Sequence, residues 1–483
     1  MELLGWLLAG VFLGGGLMLV TLRFSSLWGA TRRQADVAGL LRKHFHPVDI
    51  SGVTISDRQF PARVRADLQR AIDRVFGQGT LIHHFCGVRV DFSPEGVSLS
   101  GCMIPVEHSP VLSTPPEYEE VDIGEDEPIR VLKNGLWMLE RDGTRFAVLF
   151  GPSSMYEDTP GVRIHIAVPN SPQGTKITSE FFRHLEDSIL KAESYRGKIL
   201  SLEQAGHSYS GKSAGIIVHR LKSVAREQVI LPDQTLELLD RNIIQFVQQR
   251  HQLARFQQST KKGLLFYGAP GTGKTHTIHY LATALQGHTT LLISAEQVAL
   301  LAEYMTLARL LQPSMVVIED VDLIARDRTS MAGPCEEALL NKLLNEMDGL
   351  KEDAAVLFVL TTNRPEQLEA ALASRPGRID QAIEFPLPDE LGRRKLVMLY
   401  SQGVTLPEAV INETVRRTDG VSAAFIKELM RRTVQFHIER DGAGDVSPGD
   451  LDSALEEMLL RGGSLNLKLL GAESICTRSD DQG

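Results

Sequence analysis

The chain is short of several things that would each define a class. Its 483 residues contain only four cysteines, Cys86, Cys102, Cys335 and Cys476. They are scattered, with no C-x-x-C pair and no histidines at zinc-ligand spacing, which excludes a disulfide scaffold and a structural zinc site. So few thiols in so long a chain suit a reducing compartment, where they act as small buried or exposed side chains. An excess of basic residues is also missing. The net charge of −10 denies the chain a global basic field for nucleic acid and leaves room only for a local basic channel. No H-E-x-x-H occurs, so the helix of a zinc protease is absent from the sequence. The balance of 43% hydrophobic and 23% charged residues is that of a globular protein. The length exceeds what one core supports, so two or three domains are expected.

What is present centres on residues 264–275, where an apolar run breaks into a glycine-rich turn. The spacing G-x-x-x-x-G-K-T fits Gly268, Gly273, Lys274 and Thr275, with a strand-like run before it and a helical pattern after it. This is the setting of a phosphate-binding loop. Backbone N–H groups of Gly268, Ala269, Pro270, Gly271, Thr272, Gly273, Lys274, Thr275 and His276 (proline excepted) are available at a helix N-terminus, where they can converge on phosphate oxygens. Lys274 adds a point charge near the β- and γ-phosphates, and the Thr275 hydroxyl can ligate Mg²⁺. A second match, Gly206 to Ser213, has the spelling G-x-x-x-x-G-K-S but is followed by a strand-like run, so it reads as a domain linker.

Residues 3–22 form an almost unbroken, uncharged apolar run of about 20 residues, enough to cross ~30 Å of hydrocarbon as a helix. Trp6 and Trp28 lie near the two expected interfaces. Only Glu2 precedes the run, whereas Arg23, Arg32, Arg33, Arg42 and Lys43 follow it, so the positive-inside rule places the bulk of the chain in the cytoplasm. The rival, a cleaved signal peptide, lacks a basic n-region here, and export would carry the phosphate loop away from ATP.

The next stretch, to about residue 220, is mixed α+β without a catalytic signature. Phe60, Val64, Leu68, Ile72 and Phe76 predict an amphipathic helix over 56–76. Strands are expected at 129–132, 136–139, 146–150 and 162–168, with turns at Asn134-Gly135 and Asp142-Gly143, and a helix over 179–192. Residues 115–128 gather seven carboxylates, read as a solvated loop or as a recognition loop for a basic partner. His83-His84 lack a metal spacing.

Beyond the phosphate loop, residues 314–320 are an apolar run ending in Glu319 and Asp320. A buried parallel strand would deliver these acids to the ligand crevice, one to orient Mg²⁺ through water and the other to polarise the attacking water. A second run, 356–360, ends in Thr361-Thr362-Asn363, whose amide could reach the γ-phosphate or that water.

In their order and spacing, GAPGTGKT (268–275), VVIED (316–320), LLNEMDGL (343–350), TTNRP (361–365) and ASRPGRID (373–380) resemble the AAA subgroup of the AAA+ ATPases. The resemblance covers about residues 229–461. It implies an α/β fold, a P-loop NTPase parallel-sheet domain with a small α-helical lid, and ATP with Mg²⁺ as cofactors. It also implies Lys274 on the phosphates, Thr275 and Glu319 as the Mg²⁺ side (Glu319 via water), Asp320 as base and Asn363 as sensor 1. Arg375 and Arg378 are implied as trans-acting arginine fingers in a ring of identical chains, usually a hexamer. The family usually ends its acidic strand in Asp-Glu. The Glu319-Asp320 order here resembles the mitochondrial inner-membrane AAA chaperones of the respiratory-complex assembly type, which also carry an N-terminal transmembrane helix. Where threading unfoldases place an aromatic-hydrophobic-Gly pore loop, this chain offers only Tyr304-Met305 without the glycine.

The expected organisation is a transmembrane anchor (1–28), an α+β N-terminal domain (29–220), an AAA large α/β domain (221–388), a helical lid (389–461) and a flexible tail (462–483). The expected function is ATP hydrolysis coupled to remodelling or translocation of a protein client by a membrane-anchored ring. A nucleotide-gated oligomeric scaffold with slow hydrolysis and a threading unfoldase are the alternatives.

Overall fold

The computed structural model describes residues 36–461, apart from 78, 90–96, 105–109, 154–160, 204–214, 325–342, 344, 352, 367–377, 441 and 443. The proposed anchor and tail lie outside the described residues. Among those described, no helix is long and apolar enough to cross a membrane. Chain contacts divide the described residues into two units, 36–121 with 128–191, and 122–127 with 192–461.

The first unit is built on an antiparallel sheet of β1 (Val53–Pro61), β2 (Leu81–Arg89), β3 (Leu112–Thr114), β4 (Glu117–Val121), β5 (Ile129–Arg141), β6 (Thr144–Pro152) and β7 (Gly161–Pro169). The order is β1-β7-β6-β5-β2-β3, with β4 on β5. The longer helices that accompany it are α1 (Val37–Phe45), α2 (Arg65–Gly77) and α3 (Pro172–Lys191), with a one-turn helix at Leu99–Met103. The two-residue period of β5 sends Leu136 and Met138 into a core with Val37, Leu41 and Phe45 of α1. Trp137, pointing the other way, meets Phe76 of α2 with ring centroids 5.2 Å apart.

Three local expectations are corrected here. The helix predicted over 56–76 is a strand followed by a helix: β1 runs to Pro61 and pairs with β7, and α2 begins only at Arg65. Proline has no N–H to donate and biases its predecessor to extended backbone, so Phe60 and Pro61 close a strand. The turn expected at Asn134-Gly135 is absent, because β5 passes straight through. Asn134 Oδ1 accepts from Val88 N at 3.0 Å. A Cβ on Gly135 would lie 2.6 Å from Leu132 Cδ2 and 2.9 Å from Phe85 Cε2, so this glycine serves close packing. The acidic stretch is no free loop: β4 takes part of it, Glu119 pairs with Arg65, and Asp122 pairs with Arg220 at 2.9 Å in the second unit. The Asp142-Gly143 turn is present, with φ of +49° and +74° at its two residues.

The second unit holds a sheet of β8 (Ile199–Leu202), β9 (Ile216–Val218), β10 (Lys262–Tyr267), β11 (Thr289–Ile293), β12 (Ser314–Ile318), β13 (Val356–Thr362) and β14 (Gln381–Glu384). Its order is β14-β10-β13-β12-β11-β8-β9. All pairings are parallel except β8 with β9. Every residue of β12 and β13 is buried, as strands covered on both faces must be, and this explains their unbroken apolar sequence. Helices α4 (Asp233–Leu239), α5 (Phe246–Arg255), α6 (Lys274–Ala284) and α7 (Leu301–Leu310) belong to this part. The lid follows as α8 (Glu390–Tyr400), α9 (Glu408–Arg417), α10 (Ala423–Arg440) and α11 (Pro448–Glu456), around a core that includes Val397, Phe425, Leu429 and Leu451.

By chain contacts the second unit begins at Ala192 and includes β8 and β9, which lie before the boundary expected at 220. The parallel pairing of β8 on β11 is non-local and leaves no mark in the local pattern of residues 199–218. The look-alike loop at 206–213 falls in residues outside those described. The chain leaves it into β9, a strand, where a phosphate loop would require a helix N-terminus. Tyr304 and Met305 are both 0% exposed inside α7, so neither side chain is free to line a pore.

Candidate nucleotide site

β10 ends at Tyr267, residues 268–273 turn, and α6 starts at Lys274 with Gly273 as its N-cap at φ +102°. Two glycines are obligatory by contact as well as by dihedral. At Gly268, with φ +149°, a Cβ would sit 2.2 Å from the Phe385 carbonyl oxygen. At Gly271, with φ +75°, it would sit 2.8 Å from Ala424 Cβ, where the loop lies against the lid and Ala424 N donates to Gly271 O at 3.1 Å. Loop and lid together border a cleft of about 370 Å³, within the range of small-molecule sites. Besides the loop it is lined by Ile230, Asp320, Asn363, Tyr400 and Lys427.

Lys274 is 7% exposed, and its Nζ donates to the loop's own carbonyls, Gly268 O at 2.8 Å and Ala269 O at 3.0 Å. Burial pushes the ammonium down to about 8, against the opposing pull of Asp320 and Asp322. Thr275 Oγ1 donates to Glu319 Oε1 at 2.8 Å. One residue on, Asn363 Nδ2 donates to Asp320 Oδ1 at 2.9 Å. The second contact follows from the sheet: β12 and β13 are hydrogen-bonded neighbours with Ile318 opposite Leu360, so Asp320 and Asn363 emerge side by side, whereas Thr275 reaches Glu319 from the first turn of α6. Asp320 sits at φ +49°, held by its N–H donating to Thr361 Oγ1 at 2.9 Å. His276 also lines the cleft, and its Nε2 lies 3.2 Å from Gln228 O; burial holds its pKa below the ordinary histidine value.

The residues singled out from sequence are thus brought together from Gly268 to His276, with Glu319, Asp320 and Asn363. Arg378 is engaged within its own chain: it pairs with Asp348, its Nη2 lies 3.4 Å from Asn345 Oδ1, and its side chain is 13% exposed. Arg375 lies outside the described residues. Sequence reasoning missed Asp322, buried beside the acid pair, although a third carboxylate two positions after Asp320 was a readable signal. It also missed Tyr400 and Lys427, which reach the cleft from the lid and carry no local motif.

The donor set fits a hard divalent cation and a polyphosphate. The Thr275 hydroxyl and the Glu319 carboxylate are adjacent oxygen ligands of the kind Mg²⁺ takes, and the positive φ of Gly268, Gly271 and Gly273 lets the loop turn tightly into the N-terminus of α6, where main-chain N–H groups can meet phosphate.

Residues 264–387 match the family described as "ATPase family associated with various cellular activities (AAA)". Curated relatives agree. The chain is 35% identical over 210 residues to a proteasome-activating nucleotidase of Methanothermobacter thermautotrophicus, covering 41% of this chain and 51% of that protein. It is 28% identical over 278 residues to a cell division cycle protein 48 homolog of Archaeoglobus fulgidus, covering 56% and 38%. It is 32% identical over 234 residues to an ATP-dependent zinc metalloprotease FtsH of Syntrophus aciditrophicus, covering 45% and 31%. The chain thus spans about half or less of the length of these relatives. Residues 264–387, which carry the phosphate loop and the acid pair, thus match an AAA-family ATPase domain, and the cleft is lined in part by them.

Proposed function

We propose that the protein hydrolyses ATP in this cleft and, as a membrane-anchored ring of identical chains, uses the resulting movement to remodel or translocate a protein client. The observation that carries the hydrolytic reading is the paired geometry at the strand ends, Thr275 with Glu319 and Asn363 with Asp320. Backbone N–H groups of the loop and the N-terminus of α6 hold the phosphates. Lys274, released from the Gly268 and Ala269 carbonyls, pairs with the terminal phosphate oxygens. Mg²⁺, when bound, offsets the charge that develops on those oxygens. Thr275 and Glu319 would hold it. Asp320 accepts the proton of the attacking water, and Asn363 fixes the direction of that carboxylate.

The ring supplies Arg375 from the next copy, since an arginine given in trans is worth ~10³–10⁵ in turnover. Arg378 would join it only after leaving Asp348. Residues 3–22 anchor the assembly with the ATPase domain on the cytoplasmic side. The relatives named for proteasome activation and ATP-dependent proteolysis support a protein as the client.

Phosphate release by the purified chain tests this reading. ATP- and Mg²⁺-dependent turnover is expected, and Lys274→Ala should abolish it. Turnover no higher than that of Lys274→Ala would instead favour the nucleotide-gated scaffold.

A further inference from the structure

Asp322 has no place in the steps above, yet it is 2% exposed and bonds the backbone of Asn363, a residue that lines the cleft. Burying a carboxylate is costly unless its charge is used or its oxygens are bonded. Its Oδ1 accepts two hydrogen bonds, from the Thr362 hydroxyl at 2.9 Å and from Asn363 N at 3.1 Å. Thr362 is 0% exposed, so the end of β13 is pinned from inside the fold. With its backbone fixed, Asn363 has only its side-chain torsions left to place Nδ2 on Asp320 Oδ1. From the other side, Thr361 Oγ1 holds the Asp320 N–H and keeps that residue at φ +49°, a left-handed backbone that a non-glycine residue adopts only under constraint.

Resting on the ATPase reading, we propose that Asp322 is a positioning residue for hydrolysis: it clamps the backbone at Asn363 and thereby aims the Asn363 amide, and through it the Asp320 carboxylate, at the attacking water. The order Glu319-Asp320 gives this clamp its purpose. Asp320 has one methylene less than the glutamate usual at that position, so it has less freedom to find the water by itself. A left-handed backbone and a fixed amide compensate by setting its direction in advance. Asp322 touches neither substrate nor water in this scheme and acts through Asn363 alone.

The test compares the full-length chain with Asp322→Ala, Asp322→Asn, Asn363→Ala and the double variant Asp322→Ala/Asn363→Ala. Phosphate release is followed alongside the affinity for a fluorescent ATP analogue. Asp322→Ala should lower kcat about 10²-fold, the scale of a small misplacement at a reacting centre. Affinity should stay within about threefold, a difference smaller than 1 kcal/mol. Asp322→Asn keeps an acceptor oxygen for both donors and should recover most of the lost kcat. The double variant should be no slower than Asn363→Ala, because both changes break one chain of contacts.

Wild-type kcat in Asp322→Ala, or kcat and affinity lost in parallel, would overturn the proposal. So would a double variant in which the two losses multiply. Should Asp322→Ala fail to fold, Thr362→Val carries the test at smaller amplitude, with kcat lowered about threefold at unchanged affinity; wild-type kcat there would overturn it. A wild-type chain that releases no phosphate would bring down the ATPase reading, and this inference with it.

Discussion

At the residue scale the site is governed by how Lys274 is stored before nucleotide arrives. Held against two carbonyls in a buried position, its ammonium is destabilised and its pKa falls from 10.5 to about 8. Between those values the unfolded chain binds more protons than the folded one, so this group makes stability rise with pH across that window, and its penalty is fully present below about 8. A bound triphosphate reverses the balance by favouring the charged form. Nucleotide affinity should therefore fall as pH rises through about 8, and binding near that pH should take up about half a proton. Calorimetry in buffers of different ionisation heat measures the uptake directly; pH-independent affinity with no proton uptake from pH 7 to about 9 would mean that the lysine is charged throughout.

The element scale explains what could be read from sequence and what could not. The phosphate loop was legible because its signal is local: the spacing of Gly268, Gly273, Lys274 and Thr275 is contiguous, Gly268, Gly271 and Gly273 take positive φ, and β10 and α6 flank them directly, although the contacts that exclude a Cβ at Gly268 and Gly271 come from distant Phe385 and Ala424. The acid pair and Asn363 were legible as ends of apolar runs, since strands buried on both faces leave an unbroken hydrophobic signature. Non-local pairing was not legible. The break at Pro61 was hidden by an apolar spacing that α2 continues, and Gly135 looked like a turn because a glycine required by packing has the same letter as one required by a bend.

β8 is the clearest case, since its place on β11 depends on side chains from elsewhere in the chain. The Tyr304 hydroxyl accepts from Leu202 N at 2.7 Å and lies 3.1 Å from Gln297 Oε1, while Gln297 Nε2 donates to Leu202 O at 2.9 Å. Tyr304→Phe leaves the buried Leu202 N–H without its acceptor, at a cost of about 1–3 kcal/mol. Hydrogen exchange should show β8 losing protection while β12 and β13 keep theirs. Unchanged protection of β8 would mean that the tyrosine is not its clip.

At the scale of the whole molecule, the proposed mechanism has one chain supply the loop, the Mg²⁺ ligands, the base and its aligning amide, and takes an arginine from a neighbouring copy. Arg378 is occupied by Asp348 in its own chain, so the proposed shared site is tested first at Arg375. If the site is shared in this way, specific activity should rise with chain concentration until assembly is complete. The anchor proposed at residues 3–22, if it is one, would gather the chains on one membrane face and favour that assembly by raising their local concentration.

The most direct measurement mixes two inactive variants. Lys274→Ala cannot use its own cleft but still carries Arg375, and Arg375→Ala keeps an intact cleft but cannot complete its neighbour's. If the site is shared, mixed assemblies place intact clefts beside intact arginines, and phosphate release should reappear at a substantial fraction of the wild-type rate. A mixture that stays at the level of its two parents, under conditions where the chains exchange, would contradict the account.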